Sequence, residues 1–579
     1  MADKNVEKPS DPSKELCANC FAADGSASAP TLSACSRCGL VVYCSRDCQR
    51  GHWKSHHKPY CVAKSDRSTQ QQRMLDSGKD NAPSQDTLEE ECVICLTPLI
   101  EAPAATLQCS HVFHAVCVAE LRKFGIKQTC PLCRTPLPPG PEKLSEDATW
   151  HYMSVSRLAS RSEASWSSLS DEAARDLNAA IDGWRAAAKE GYAQAQCNLG
   201  FLVENGRGLG QNDEEAALWY KKAAEQGHAR AQCNLGSLYK NGRGLVQNDE
   251  EAMFWYRKAA DQGLSEAHCN IGFLFEYGRG VAQSDVEAAQ RYTIAAEQGY
   301  ARAQFNLGSL YKNGRGVAQS DGEAARLYRL AAEQGHARAQ FNLGSLYKNG
   351  RGVAQSDEEA AQWYEKAANQ GHAEAQCNLG FLHEKARGGS QNDKEALRWY
   401  KKAAEQGYTK AQFNLGSLYK KGRGVSQSYE EAARWYKLAA IKGHAEAQFS
   451  LGFLFENGHG VAQCNEEAAR FYKLAADQGH ARAQCNFGFL MVNGSGVAQS
   501  DEEAAQWWQR AANQGLAEAQ CNMGRLFEEG RGVAQSNEEA AKWYKKAAEQ
   551  GHARAHSYLE TFLKNSRSSA ELSSALLIR

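Results

Sequence analysis

No stretch of the 579 residues approaches the run of about 20 apolar residues that a membrane-crossing helix needs. The opening segment, MADKNVEKPS, is polar throughout and lacks the apolar core of a secretory leader. The expectation is therefore a cytoplasmic and/or nuclear protein with no membrane partner. An excess of one charge is missing too. With 67 Lys and Arg against 68 Asp and Glu, no global field draws nucleic acid, and none is expected as a partner. Nor is there the bias of a collagenous or wholly disordered chain, since 42% apolar and 23% charged residues suffice for packed cores. Cysteine, by contrast, is abundant, with 20 copies. In a reducing compartment these are not disulfides, which leaves metal ligation or burial.

Thirteen of the cysteines precede residue 134, and the other seven are scattered singly between residues 197 and 521. The chain divides accordingly. Residues 1–16 read as a disordered N-terminus, 17–61 and 92–134 as small modules dense in Cys and His, and 62–91 as a flexible polar linker. Residues 135–170 read as a Pro- and Ser-rich linker and 171–190 as an N-terminal helical cap. From 191 to 550 run ten units of 36 residues, each opened by a glycine from Gly191 to Gly515, and 551–579 hold a partial unit and a tail.

A fixed period of this length means a solenoid of stacked supersecondary units. In the first unit Ala195, Leu199 and Leu202, then Ala216, Tyr220 and Ala223, recur at helical spacing and predict two amphipathic helices. Asn205 and Gly206 suit a left-handed helix end. Asn212 with Glu215, Ser320 with Glu323 and Ser356 with Glu359 form capping boxes for the second helix. The elements "AQ-x-N-LG", "NGRG" and "EEAA-x-WY-x-KAA" carry a specific resemblance to the Sel1-like repeat, a relative of the tetratricopeptide repeat, over about 360 residues. The resemblance implies a mostly α fold, a right-handed α-solenoid following two zinc-stabilised modules, whose surface binds proteins and carries no catalysis.

Comparing the units with one another substitutes for an alignment. The place of Cys197 is taken elsewhere by Cys or Phe, as at Phe305 and Cys377, so it is a buried apolar site. The place of His228 is taken by Tyr192 or Leu264, so the histidines there are packing residues. A charged position alternates in sign from Arg230 through Glu266 and Arg302 onward, failing only at Arg338, and suggests lateral contacts between successive first helices. Ala386, standing where others have glycine, marks the expected softest point, because a left-handed alanine costs about 1–2 kcal/mol.

In the first Cys-rich module the candidate metal ligands are Cys17, Cys20, Cys35, Cys38, Cys44, Cys48, His57 and Cys61. Thiolates and imidazoles at these spacings suit tetrahedral zinc, and eight of them close two sites. Order and spacing resemble the MYND finger. The spacing to Cys61 selects His57, whereas the spacing from Trp53 selects His56, and both stand as candidates. The resemblance implies interleaved sites, with Cys17, Cys20, Cys44 and Cys48 on one zinc, and a groove at Gln49 and Trp53 for proline-containing peptides.

The second module carries Cys92, Cys95, Cys109, His111, His114, Cys117, Cys130 and Cys133 in the order of a two-histidine RING finger, which it resembles. The resemblance implies a cross-brace, Cys92, Cys95, His114 and Cys117 on one zinc and Cys109, His111, Cys130 and Cys133 on the other. That makes four zincs per chain. It further implies that Ile94, Leu121 and Pro131 dock a ubiquitin-conjugating enzyme, with Arg134 as the cationic bridge to ubiquitin. No residue would act covalently. The function expected is a RING-type ubiquitin ligase or adaptor, in which solenoid and MYND finger hold client proteins. The alternative is a noncatalytic scaffold with purely structural zinc fingers.

Overall fold

The computed structural model describes residues 33–34, 42–43, 92, 104–107, 109–124, 129–130, 132–135, 137, 139–161, 166, 169–387 and 392–561. It divides into two compact units, Met1–Trp255 and Tyr256–Arg579. The first unit contains the antiparallel pair β1 (Ser33–Ala34) and β2 (Val42–Tyr43), with Ser33 opposite Tyr43. A hairpin of β3 (Ala104–Thr106) and β4 (Val112–His114) follows, with Ala105 opposite Phe113, and leads into α1 (Ala115–Phe124). After α2 (Pro141–Arg161) and α3 (Asp171–Lys189) the repeats begin with α4 (Ala193–Asn205) and α5 (Asp213–Glu225). The same pair recurs through both units to α23 (Asn537–Glu549), and residues 553–561 are helical again. The fold is mostly α, a solenoid of tandem helix pairs.

Each repeat is built from the residues that mark it. Ala195, Leu199 and Leu202 are buried on α4, as are Ala216, Tyr220 and Ala223 on α5. Asn212 Oδ1 accepts the amides of Glu214 and Glu215 at 3.0 Å, so the second helix opens on a satisfied cap, and Ser320 and Ser356 do the same for theirs. The first helix ends on left-handed Gly206 (φ 62°). A buried tyrosine ring fills the centre of each pair except one, where Trp508 replaces it. Its hydroxyl is never left dry: Tyr292 donates to Glu276 at 2.8 Å, and Tyr328 meets Ser309 at 3.0 Å.

Two polar devices hold neighbouring repeats in register. Buried Gln304 donates to the carbonyl of Ala296 (3.2 Å) and accepts from Gln334 of the same repeat (2.8 Å). Arg315, in the loop of one repeat, grips the start of the preceding second helix with two parallel hydrogen bonds to Asp285 (3.0 and 2.7 Å) and adds one to Glu276 on the first helix of that repeat (3.1 Å). Arg243–Asp213, Arg351–Asp321, Arg423–Asp393 and Arg531–Asp501 repeat the grip. Where the arginine changes, its aspartate changes with it. His459 packs against Tyr429, ring centroids 4.9 Å apart and planes tilted by 33°, and Ser495 is matched with Asn465.

Ala386 adopts the left-handed conformation, φ 54°. A second defect accompanies it: among the described residues Arg387 has no ion pair, and the buried Asp357 Oδ1, which it would grip, has no hydrogen-bond partner. Strain and a lost bridge thus coincide in one repeat.

Two readings need correction. Residues 135–170 are not simply a linker, because α2 lies within them and packs against α3. Leu144, Ala148, Tyr152 and Val155 share one helical face, Trp184 Nε1 donates to the Ser145 carbonyl (3.3 Å), and His151 pairs with Asp176 (3.1 Å). The reading of the sign-alternating side chains needs narrowing: they make lateral contacts between successive first helices, but among the described residues not as ion pairs with one another. Glu446 reaches His480 of the next repeat at 2.7 Å, and Arg482 lies over the Phe449 ring of the repeat before, 4.9 Å from its centroid.

That histidine belongs to a series with a further role. His228, His336, His372, His444, His480 and His552 occupy the N-cap of a first helix, where Nδ1 accepts a backbone amide, as for His336 from Ala339 at 3.2 Å. Several also stack on a phenylalanine, His372 on Phe341 with centroids 4.8 Å apart. Capping requires the neutral ring. Burial lowers the pKa of His228, His336, His372 and His444, with Arg230 adding to it at His228 and Arg338 at His336. A depressed pKa means that the stabilisation is complete above the unfolded value, about 6.5, and is lost as the pH falls through the folded value. The urea midpoint of the chain is expected to drop between pH 7.5 and pH 5. Replacing His336 and His372 by asparagine, which caps without titrating in this range, should flatten that drop.

Candidate functional site

The metal-ligating side chains are brought together by two tight turns and the hairpin. In the first turn Ser110 N–H donates to Leu107 O (2.8 Å), Leu107 N–H to His111 O (2.9 Å), and Ser110 takes a left-handed φ of 65°. In the second, Cys130 N–H donates to Thr135 O (2.7 Å), Arg134 N–H to Cys130 O (2.9 Å), and Arg134 has φ 63°. These turns aim four ligands at one point: the donor atoms of Cys109, His111, Cys130 and Cys133 lie within 4.8 Å of one another.

Their chemistry and spacing fit zinc. Tetrahedral bonds of about 2.0 Å to nitrogen and 2.3 Å to sulfur place ligand nitrogen and sulfur about 3.5 Å apart. His111 Nδ1 is 3.3 Å from Cys109 Sγ and 3.6 Å from Cys130 Sγ. These distances are the edges of a ligand tetrahedron, with Nδ1 as the histidine donor. All four positions come from the protein, so such a site is closed and structural. Burial raises the pKa of the Cys130 thiol, whereas exposed Cys133 is drawn down to about 6 by the hydroxyl and amide of Thr135, whose Oγ1 is 3.1 Å away.

A second group joins Cys92, His114 and Cys117, again with donor atoms within 4.8 Å. His114 ends β4 and Cys117 lies in the first turn of α1, while Cys92 accepts the His114 amide at 3.4 Å. Cys95 lies outside the described residues. Between the two groups Leu107, Phe113, Val118 and Leu137 form a small core with Cys92 and Cys130. Arg122 Nη1 on α1 reaches Glu190 beyond α3 at 3.4 Å, a tie across 68 residues that no local pattern announces.

Arg134 is exposed. Leu121 belongs to α1, but its side chain, Ile94 and Pro131 lie outside the described residues. The same holds for Cys17, Cys20, Cys35, Cys38, Cys44, Cys48, His57 and Cys61, for His56, and for Gln49 and Trp53. The solenoid cysteines are a different population. Cys197, Cys377 and Cys485 are buried and their thiols are pushed up to about 12 by desolvation, which disqualifies them as nucleophiles. Sequence reasoning missed Thr135 and the capping role of the histidines. The latter had a signal, since each stands one residue after the glycine that ends a helix.

Comparison with known proteins gives three family matches: the Sel1 repeat in ten consecutive copies over residues 193–552, the MYND finger over 17–61 and the Ring finger domain over 90–134. Among solved structures, a protective antigen of uropathogenic Escherichia coli strains displaying an SLR fold is 32% identical. The match covers 74% of this chain and 91% of that one, with a TM-score of 0.60. A Sel1 repeat protein from Oxalobacter formigenes is 31% identical over 54% of this chain and 88% of that one, with a TM-score of 0.40.

Proposed function

The chain belongs to the Sel1 repeat family and is, by its MYND and RING fingers, a zinc-binding protein-interaction protein; on that premise we propose that it works as a RING-type ubiquitin ligase. One observation carries this reading: the turn that completes the four-ligand group holds Arg134 exposed and left-handed, directly after the last ligand. A clip that only stabilised the fold would have no use for a guanidinium there. Arg134 would donate from its fixed fork to the conjugating enzyme and to the ubiquitin tail at once. Ile94, Leu121 and Pro131 would give the enzyme an apolar seat. The chemistry would be positional, holding the thioester where an incoming amine can attack it, with no covalent intermediate on this chain. Four zincs would rigidify the two fingers. Client proteins would bind the solenoid, and proline-containing peptides the MYND groove at Gln49 and Trp53, in the cytoplasm or nucleus.

A reconstituted transfer assay with a panel of conjugating enzymes tests the reading. Arg134→Ala is expected to cut chain formation at least 10-fold with zinc content unchanged, and Ile94→Ala to do likewise. Transfer that is absent with every enzyme, or indifferent to both changes, would instead favour the noncatalytic scaffold.

A further inference from the structure

Two cavities in the solenoid occupy the same place in different repeats. One, of about 320 Å³, is lined by Leu199, Val203, Glu215, Trp219 and by Arg185 from the helix before. The other, of about 480 Å³, is lined by Phe487, Met491, Glu503, Trp507 and by Lys473 and Arg470 from the helix before. Val203 and Met491 are 288 residues apart, which is eight periods of 36, and so are Trp219 and Trp507, and Arg185 and Lys473.

Most other repeats put a ring where these two have none. Seven put Tyr or Phe at the position of Val203, and one puts His383 there. The ring plugs the space between its own second helix and the helix before. Phe455 stacks on Phe471, the residue equivalent to Trp219, with centroids 5.8 Å apart and planes 3° from parallel. Tyr347 shows where a phenol points: its oxygen accepts a hydrogen bond from Arg329, the residue equivalent to Arg185 and Lys473, whose guanidinium also lies 5.9 Å from the ring centroid. Val203 and Met491 supply no ring. They leave a slot with an indole on one wall, a carboxylate at the rim and a cationic side chain from the helix before, the last unmatched by a phenol of this chain; the slot at Met491 is mainly apolar and the one at Val203 more polar.

We propose that these two slots bind tyrosine side chains of a partner protein, each ring taking the place that Tyr347 fills in its own repeat. Trp219 or Trp507 would face the ring, and Arg185 or Lys473 would donate to the phenol oxygen. The carboxylates of Glu215 and Glu503 at the rims disfavour a phosphorylated tyrosine, so the class is the unmodified residue. This deepens the reading of the solenoid as the part that holds clients and rests on that reading. It asks nothing of the RING.

The test is a ligand-detected NMR titration of the full chain with N-acetyl-L-tyrosinamide. Saturable binding is expected, and at least 5-fold weaker binding of N-acetyl-L-leucinamide and of the phosphorylated tyrosinamide. The double variant Val203→Tyr, Met491→Tyr should lose at least 10-fold in affinity while its melting temperature stays level or rises, because each new ring enters a place shaped for one. A second variant guards against misfolding. Arg185→Ala with Lys473→Ala, two partly solvated changes, should bring tyrosinamide down to the affinity of N-acetyl-L-phenylalaninamide. Absent binding, equal binding of leucinamide, or affinity untouched by both double variants would overturn the proposal. None of these results bears on transfer through Arg134, whose assay stands apart.

Discussion

Stripping the metal with a chelator is expected to abolish the folded state of residues 92–137 while the helical signal of the chain survives almost whole. The described apolar core of this module is Leu107, Phe113, Val118 and Leu137 with Cys92 and Cys130, two of them metal ligands. Segments of about 40 residues seldom fold on burial alone. Structural zinc supplies about 10–16 kcal/mol of apparent binding energy in small peptides, and in such modules this is folding energy. Without it, the thiolates gathered around His111 repel one another and the left-handed turns at Ser110 and Arg134 lose the bonds that justify their strain. Limited proteolysis should then cut within 92–134, and the ubiquitin transfer proposed above should fall to background. The circular dichroism of the repeats should barely change, because their cores contain no ligand group among the described residues. His111→Ala should reproduce the effect without a chelator. A module that resists protease after metal analysis shows it empty would refute the assignment of these side chains as structural ligands.

The second large effect is expected at Gly352. Its φ is 68°, and a methyl group placed there would lie 2.2 Å from the backbone carbon and oxygen of Asp321. Arg351 beside it grips that aspartate, so the loop must approach the preceding helix this closely to make the bridge. Gly352→Ala adds left-handed strain of about 1–2 kcal/mol to a clash with a backbone that cannot rotate away. A total near 3 kcal/mol or more is expected, in the range reached only by named packing faults. Gly371→Ala provides the control. Its φ is 88°, but nothing lies within 4 Å of the added methyl, so only strain should register, about 1–2 kcal/mol. Urea unfolding of the two variants separates the effects, and equal midpoints would show that close approach is not what the glycine is for.

Much of this was readable beforehand because a repeat states its rules many times. The helix pairs, the Asn and Ser caps, the apolar Cys or Phe position, buried at its cysteines and partly buried at Phe305, Phe341 and Phe413, and the grouping of Cys109 with His111, Cys130 and Cys133 follow from spacing and resemblance. The misses have physical causes. The face of α2 formed by Leu144, Ala148, Tyr152 and Val155 is thin, and serines and a proline around it weaken the helical signal, although burial against α3 overrides propensity. The alternating charges were read as partners because opposite signs attract, yet side chains one repeat apart need not meet. The signs travel instead with a deeper choice, Glu204 or Glu276 against Ser309 or Ser345, that decides how the buried tyrosine hydroxyl is satisfied. The histidine caps were overlooked because Tyr and Leu take the same place without bonding, as at Tyr192 and Leu264.

The arginine grip also makes the repeats keyed to one another. Each loop carries a key cut for the helix of the repeat before it, and most keys are the same, Arg for Asp. Recombination that removed residues 299–334 would bring Arg351 to Asp285, a standard match. Removal of 407–442 would bring His459 to Asp393 and leave Tyr429 behind, a key in the wrong lock. The array is thus free to grow or shrink by whole units over its standard portion, while the segments from Tyr429 to His459 and from Asn465 to Ser495 must be inherited as blocks. The slot beside Met491 thus lies inside a block that whole-unit exchange would have to carry intact.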